Sequence, residues 1–540
     1  MRRIVKGCGV LLAAFLVVGC SAPLPTVQKP APRPVRTEAR LHLPAEPVTF
    51  DSARATDPAA LDLLGNLMEG LVRQQAGGTV TGGVAERWES PDGQTFTFYL
   101  RSDARWSDGR QVTATDFVYA WIRALDPQHG SDYAFLLYEI EGAEAWNTLD
   151  PRDRNFARRS AELIRRIGVS ALDERTLRVA LRSPNHHWPA YTAHPVFYPQ
   201  RASAVVREGE PYGRSGDLVG NGPYVLEQWV AGESIRLRKN LAYWDARSVR
   251  LERLIFRIEP DAEAALRLYS MGQLDHVALP GELAAAQQGA QRMAQPSTMG
   301  LTFNTSRVPF QNPNLRRAFH LAIDRQRLVD EVAPGNAIPS EGFVPPSLWG
   351  GWEVKEYPTP ARGHPLQARQ LWEIARQELK MDQIRVRLLH AHESEALALS
   401  VKAMLQENLD GLSVELEPVP FSRRLERVRV GDFDLLLQGW TADHDDPLGL
   451  LELFLVDGAG NDARWVQYQY DQRVREARTG EERRASLQEA ERLLLKELPI
   501  LPLYHPVRHW LTSPLLKGLR YAPIGARLDL KGAYFAGEVD

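Results

Sequence analysis

The chain has 540 residues, which is too long for one hydrophobic core, and at ~150 residues per domain it predicts roughly three to four domains or two large lobes. Hydrophobic residues make up 44% and charged residues 25%, a balance that is typical of soluble globular proteins and excludes a disordered or fibrous chain. The formal net charge of −3 gives no electrostatic argument for a nucleic-acid partner, which needs a concentrated basic surface.

The first twenty residues contain both cysteines of the chain, Cys8 and Cys20. The rest of the chain therefore has no disulfide framework and no cysteine-based zinc, iron–sulfur or nucleophile site. This distribution removes several classes of enzyme, and we expect neither a metal nor a cofactor.

The same twenty residues predict a secretion signal, because a basic start precedes an apolar run over residues 9–18. That run is about half of the ~20 residues that a permanent membrane-spanning helix needs. It closes on LVVGC at residues 16–20, which resembles the bacterial lipobox, where the signal is cut before a cysteine that then carries lipid. The resemblance implies lipid attachment at Cys20; the alternative is an ordinary signal peptide with an incidental cysteine.

Residues 21–40 are rich in proline and predict a semi-extended tether that holds a folded body clear of a membrane surface. No later segment reaches the length of a membrane span. We therefore expect the rest of the chain to be soluble and outside the cytoplasm, in the periplasm or cell envelope, held to a membrane through the lipid alone.

From residue 41 onward, short β runs alternate with amphipathic helices. The predicted strands cover residues 95–100, 384–389, 413–419 and 433–438, and the predicted helices cover residues 113–125, 314–332, 367–379, 397–409 and 481–497. Thr113 and Asp116 have the spacing of a capping box at the start of a helix. Strands separated by helices predict an α/β fold with largely parallel sheets.

Several sequence blocks carry a family resemblance because they occur together in a fixed order. They are Gly83–Trp88, Trp106–Gly109, Val112–Ala114, Asp116–Trp121, Asn221–Tyr224, Asn240–Trp244, Asn304 with Pro309 and Phe310, Arg316–Ala318, Ala322–Arg325, and a last block from Asp432 through Gly439 and Trp440 to Asp443 and Pro447. As an ordered set they resemble the oligopeptide- and dipeptide-binding proteins (family 5) among the solute-binding proteins of bacterial ABC importers. The resemblance covers residues 41–540 and implies a monomer that performs no chemistry, captures a peptide and delivers it to the permease subunits of an ABC transporter.

The resemblance also implies a two-lobed, periplasmic-binding-protein-like fold with a hinge and an extra domain on lobe one. Lobe one is expected over residues 41–71, 220–295 and 510–540, the extra domain over residues 72–219, and lobe two over residues 296–509. Lobes of this kind close on a ligand about the hinge.

The turn after the predicted strand 433–438 is the strongest candidate for a ligand site. Asp446 and Pro447 predict a helix start, with an acidic N-cap and a proline in the first turn. Residues 439–445 then form a turn at the carboxyl end of a strand, where open α/β sheets bind their ligands. The resemblance implies that Asp443 binds the α-ammonium group of a peptide; the alternative is that Asp443 caps a turn.

Further ligand contacts are expected around this turn and on two other segments. Trp440 offers an aromatic surface to a ligand. The backbones of two extended segments, Met299–Phe303 and Gly439–Thr441, can form hydrogen bonds with the backbone of a peptide. The resemblance adds a pocket-lining role for Tyr504, whose alternative is a core tyrosine beside the hinge. The candidate set is Met299, Leu301, Phe303, Asn304, Gly439, Trp440, Thr441, Asp443 and Tyr504. Some relatives place an arginine where this chain has Leu437, so recognition of the peptide carboxylate is open; Arg427 and Arg429 lie nearby.

Three other functions compete with peptide transport. The clusters at residues 443–446 and 390–393 are rich in metal-ligating side chains, and relatives carry metal chelates or haem, but solvated turns explain both clusters more simply. A hydrolase is disfavoured because the chain has no P-loop, no G-x-S-x-G and no complete H-E-x-x-H motif. The fold could also serve an envelope sensor that delivers no cargo.

Overall fold

The computed structural model describes residues 36–75, 79–209, 212–214, 218–353, 356, 358–442, 444–458, 460–522, 524 and 527–537. The predicted signal peptide, Cys20 and most of the tether lie outside the described residues, and so does Asp443. Among the helices that the structure describes, none is both long enough and apolar enough to cross a bilayer.

The secondary structure alternates between strands and helices. Within the described residues, the α-helices are α1 (Pro58–Leu67), α2 (Ala114–Leu125), α3 (Ala143–Asn147), α4 (Phe156–Ile164), α5 (Ala202–Glu208), α6 (Ala262–Ser270), α7 (Gly281–Ala285), α8 (Pro313–Ala322), α9 (Arg325–Val332), α10 (Pro365–Leu379), α11 (Glu395–Asn408), α12 (Phe421–Val430), α13 (Pro447–Leu451), α14 (Tyr468–Glu476) and α15 (Arg483–Glu497). Short 3₁₀ helices cover Ala134–Glu139, Trp188–Ala193, Pro195–Phe197, Ala246–Ser248, Leu348–Gly350, His392–Ser394 and Glu452–Phe454.

The strands of the same residues are β1 (Glu38–Leu43), β2 (Val72–Gln74), β3 (Val80–Gly82), β4 (Ala85–Glu89), β5 (Thr95–Leu100), β6 (Val169–Asp173), β7 (Thr176–Ala180), β8 (Tyr224–Val230), β9 (Ser234–Lys239), β10 (Arg253–Ile258), β11 (His276–Leu279), β12 (Gln291–Ala294), β13 (Ser297–Phe303), β14 (Ala337–Pro339), β15 (Ile384–Ala391), β16 (Leu412–Val419), β17 (Leu435–Thr441), β18 (Ile500–Thr512), β19 (Leu516–Lys517), β20 (Arg520–Tyr521), β21 (Leu528–Asp529) and β22 (Tyr534–Phe535).

Several local predictions agree closely with these elements. The strand predicted over residues 95–100 is β5, and Thr113 caps α2 in a capping box with Asp116. The helix predicted over residues 314–332 is instead two helices, α8 and α9, because the chain leaves the helical conformation at Ile323 and Asp324 caps a new start. The tether prediction extends too far, since β1 begins at Glu38 and pairs in parallel with β10.

A long mixed sheet connects most of the molecule, in the order β16-β15-β17-β13-β18-β11-β1-β10-β9-β8. The prediction of largely parallel sheets is wrong. In this sheet β1 pairs in parallel with β10 and β11, and β15 pairs in parallel with β16 and β17, while the other pairs are antiparallel. The reason is β18, a 13-residue strand that runs antiparallel to β11, β12, β13 and β14.

Two bodies with separate apolar cores lie along this sheet. The first lobe, as we use the term, packs around a core from residues 39–258 and 516–535, and it includes the antiparallel sheet β4-β5-β7-β6. The second lobe packs around cores from residues 301–503 and 343–500, the latter joined by Ile524. Residues 72–219 share the core of the first lobe, and the exact domain boundaries stay predictions.

A buried carboxylate, Glu69, organises the first lobe. It accepts hydrogen bonds from the Tyr243 hydroxyl and the Trp244 indole, both at 2.6 Å, and pairs with Arg73 at 3.0 Å. The Asn221 side chain accepts from the Glu69 backbone N–H at 3.0 Å and donates to its carbonyl oxygen at 2.9 Å. Two of the blocks that carry the family resemblance therefore meet here, and their role is structural.

Replacing Glu69 with Gln is expected to lower the free energy of unfolding by about 3 kcal/mol, because Arg73 keeps its charge in a buried site after losing a partner. Guanidinium denaturation measures the change. The matched control is Glu263→Gln on the exposed surface of α6, which should leave stability nearly unchanged. An equal effect of the two substitutions would contradict the role given to Glu69.

His276 in β11 predicts a loss of stability in acid. Its ring nitrogens lie 2.9 Å from the Thr512 hydroxyl and 2.7 Å from the Tyr521 hydroxyl, and burial lowers its pKa to about 3. Below about pH 6.5 the imidazole of His276 binds a proton in the unfolded chain but stays neutral in the folded chain. The free energy of unfolding is therefore highest above that pH and decreases as the pH falls below it. Between about pH 7 and about pH 5 the wild type should lose about 2 kcal/mol more than His276→Gln in urea unfolding. Parallel pH curves for the two proteins would rule this out.

Candidate functional site

The end of β17 and the turn that follows form the centre of the candidate site. Strand β17 extends to Thr441, so residues 439–441 belong to the strand and not, as the sequence predicted, to the turn. The predicted helix start is confirmed: Asp446 caps α13 by accepting from the Leu448 N–H at 2.9 Å, with Pro447 in the first turn. Asp443, the predicted ammonium ligand, lies between these two ordered elements but outside the described residues.

One edge of β17 has no strand partner near this turn. Its whole length pairs with β13, but β15 covers its other edge only at Leu435 and Leu436. Within the described residues, the edge from Gln438 to Thr441 is therefore left without a neighbouring strand. An edge of this kind can accept an added strand.

The neighbouring strand β13 has no such free edge, because it pairs with β17 on one side and β18 on the other. Strand β13 is therefore less accessible to a ligand backbone than the sequence suggests. Leu301 and Phe303 are fully buried in the core of the second lobe, and Asn304 donates its side-chain amide to the carbonyl oxygens of Gly431 and Phe433 at 3.2 and 3.1 Å. Packing and backbone bonds engage all three residues, and the ligand contacts expected of them stay predictions.

Met299, Gly439 and Tyr504 are brought together by strand register. Met299 is paired with Gly439 on one side and with Tyr504 on the other. A Cβ atom at Gly439 would approach the Met299 sulfur to 2.6 Å, so a larger residue there would require the Met299 side chain to shift. Tyr504 is half-buried, and burial raises the pKa of its hydroxyl, which makes no hydrogen bond to any residue that the structure describes.

Trp440 and Thr441 point to different environments. Trp440 is 6% exposed and packs edge-on against Phe343 at 5.4 Å and beside Phe454 at 6.0 Å. Thr441 is exposed, and its hydroxyl lies 2.8 Å from that of Ser297. Trp440 thus packs in the apolar core on one face of the strand, whereas Thr441 is exposed to solvent.

Two carboxylates of the acidic cluster in the turn are not solvated, which corrects the interpretation from sequence for these two residues. Asp445 and Asp446 are both buried; Asp445 accepts from the Trp349 N–H at 2.8 Å, and Asp446 forms a close ion pair with Arg483. His390 in the second cluster is also fully buried. Within the described residues, no group of three or more His, Cys, Asp or Glu side chains is placed to hold a metal ion.

Leu437, which stands where some relatives have an arginine, has an arginine beside its backbone. Arg424 of α12 donates to the Leu437 carbonyl oxygen at 3.5 Å, and burial lowers the pKa of Arg424. Arg427 is committed elsewhere, to Glu417 at 2.6 Å and to Asp432 at 3.0 Å. The sequence did not single out Arg424.

A second group of residues next to the turn was also missed from the sequence. The His444 ring stacks on Tyr191 of the first lobe with ring centroids 3.7 Å apart, and Arg478 contacts Glu139 of the first lobe at 3.2 Å. Burial, with a contribution from Arg483, lowers the pKa of His444 to about 3, so the ring is neutral. No local pattern could reveal these contacts, because Glu139 and Arg478 are 339 positions apart.

The fold and the strand-end site are those of a two-lobed solute-binding protein, and comparisons identify the family. The model of the bacterial extracellular solute-binding proteins, family 5 (middle), matches residues 79–462, and the chain belongs to this family. It is similar to the dipeptide-binding protein DppE of Bacillus subtilis (strain 168), with 30% identity over 553 residues that cover 99% of each chain.

Two solved structures differ in how well they superpose. The unliganded open form of the periplasmic murein tripeptide-binding protein MppA gives a TM-score of 0.79 at 28% identity, over 93% of this chain and 97% of that one. Listeria monocytogenes OppA bound to peptide gives 0.66, also at 28% identity, over 93% and 99%.

Proposed function

We propose that this protein binds peptides between its two lobes and delivers them to an ABC permease. The observation that carries the proposal is the unpartnered edge of β17 from Gln438 to Thr441, directly before residue 443. Relatives that share nearly the whole length of the chain are named for dipeptide and oligopeptide binding. An extended peptide can add to such an edge through backbone hydrogen bonds, which recognise no particular sequence.

Asp443 supplies the charge that orients the peptide. An α-ammonium group taken out of water costs several kcal/mol unless a carboxylate and hydrogen bonds replace its hydration. The described residues on both sides of it are bonded to the second lobe: Ala442 donates its N–H to the Pro296 carbonyl oxygen at 2.8 Å, Asp445 accepts from the Trp349 N–H, and Asp446 pairs with Arg483. Met299, Gly439, Thr441 and Tyr504 border the same strand end.

The chemistry of the site is that of capture and not of reaction. The relatives are named as peptide-binding proteins, and the half-buried Tyr504 hydroxyl and the Met299 thioether offer contacts to a ligand. We propose a monomer outside the cytoplasm, held to the membrane by lipid at Cys20. Family relatives are named as periplasmic proteins.

Asp443→Ala should weaken the binding of trialanine by about 3–5 kcal/mol, the usual cost of stranding a buried charge, as measured by titration calorimetry. The matched control is Glu415→Gln, at an exposed position of β16 in the same lobe, which should bind trialanine as the wild type does. N-acetylated trialanine should not bind the wild type. Equal affinity for the free and acetylated peptides would overturn the ammonium assignment and favour another class of ligand.

Cys20→Ser should release the protein from the membrane fraction, because one residue carries the lipid on which attachment depends. Fractionation of cells with labelled fatty acid measures both the location and the modification. Wild-type protein that carries no label would show that the first twenty residues act as an ordinary signal peptide.

A further inference from the structure

The two lobes touch each other beside the candidate site through charged side chains. Arg478, which follows α14 in the second lobe, reaches Glu139 and Ser183 of the first lobe and Glu452 of its own lobe. We call these four residues the interlobe clasp.

The geometry of the clasp uses all three nitrogen atoms of one guanidinium group. Nη2 lies 3.2 Å from Glu139 Oε1, Nη1 donates to Ser183 Oγ at 2.8 Å, and Nε lies 2.5 Å from Glu452 Oε1. The side chains of Arg478, Glu139 and Glu452 are 19%, 13% and 22% exposed. A planar, forked cation that is mostly withdrawn from water holds such partners more firmly than an exposed ion pair does.

The stack of His444 on Tyr191 carries a cost of desolvation. Both imidazole nitrogens of His444 are buried and have no hydrogen-bond partner among the residues that the structure describes. The ring nitrogens lose their hydrogen bonds to water on burial and gain none in return, and this loss makes the contact between the two rings less favourable. The stack therefore does not hold the lobes together by itself, and the charges of the clasp supply the attraction.

We propose that Arg478 is a positioning residue for ligand capture. Its bonds to Glu139 and Ser183 limit how far the lobes separate and keep Tyr191 against His444, the residue that follows Asp443. Because the clasp already holds the two lobes together on one side of the cleft, they lose less conformational entropy when a ligand closes them. The clasp therefore raises the affinity for the ligand without contacting it. The effect on affinity rests on the proposed peptide binding, whereas the effect on lobe separation does not.

The partners of Arg478 separate this role from simple stability. Glu139→Gln removes the ion pair between the lobes and leaves the pair with Glu452 within the second lobe. The matched control is Arg182→Gln, because Arg182 also contacts Glu139, at 3.5 Å, but belongs to the same lobe and is 53% exposed.

Small-angle X-ray scattering of the ligand-free full chain tests the proposal. Glu139→Gln and Arg478→Gln should each increase the radius of gyration, and the double variant should match Arg478→Gln, because the substitution of Arg478 already removes the ion pair with Glu139. Affinity for trialanine should fall about five- to tenfold in the same variants, and Arg182→Gln should change neither quantity. High salt should reduce the difference between the wild type and the variants.

A radius of gyration for Glu139→Gln equal to that of the wild type and of Arg182→Gln would overturn the proposal. If Arg478→Gln does not fold, Glu139→Gln and Ser183→Ala still decide the question. Scattering changes in a protein that binds no peptide would support the clasp and reject the proposed ligand, so the two failures are distinguishable.

Discussion

Strand β18 is the constraint on which the rest of the structure depends. Its 13 residues pair with β13 and β14 in the second lobe and with β11 and β12 in the first, so one continuous piece of backbone aligns both bodies. The same strand fixes the register of β13, and β13 fixes that of β17. The position of the candidate site at the end of β17 therefore follows from a chain of backbone hydrogen bonds that begins at β18.

The blocks that carry the family resemblance serve the fold more than the ligand. Glu69 collects the polar groups of two blocks, and Arg325 of a third is fully buried and donates to the carbonyl oxygen of Pro502 in β18 at 2.8 Å. Burial lowers the pKa of Arg325 to about 9, a cost that a surface arginine does not bear. Of the residues that border the site, Met299 and Tyr504 lie outside these blocks, whereas Gly439, Thr441 and Asp443 lie in the last one.

The proposed capture of a peptide depends on three features: the carboxylate of Asp443, the edge of β17 that has no neighbouring strand among the described residues, and the interlobe clasp. The proposed anchor at Asp443 and the open edge of β17 belong to the second lobe, whereas Glu139 and Tyr191 belong to the first. His444, which follows Asp443 in the sequence, contacts Tyr191 of the first lobe. A ligand bound by Asp443 would therefore lie next to a contact that already joins the two lobes. Affinity then depends on the separation of the lobes as well as on direct contacts.

The sequence by itself determined the local structure, including the capping box of α2, strand β5 and the helix start at Asp446, because each depends on residues a few positions apart. It also determined the family, since ordered blocks survive where overall identity is low. Only the tertiary structure decided the strand directions, the buried state of Asp445 and Asp446, the burial of Leu301, Phe303 and Asn304, and the contact of Arg478 with Glu139. Several of these are set by distant partners, at separations that run from 37 residues for Asp446 and Arg483 to 339 for Glu139 and Arg478. A linear pattern carries no information about which distant segments share an edge or a cleft.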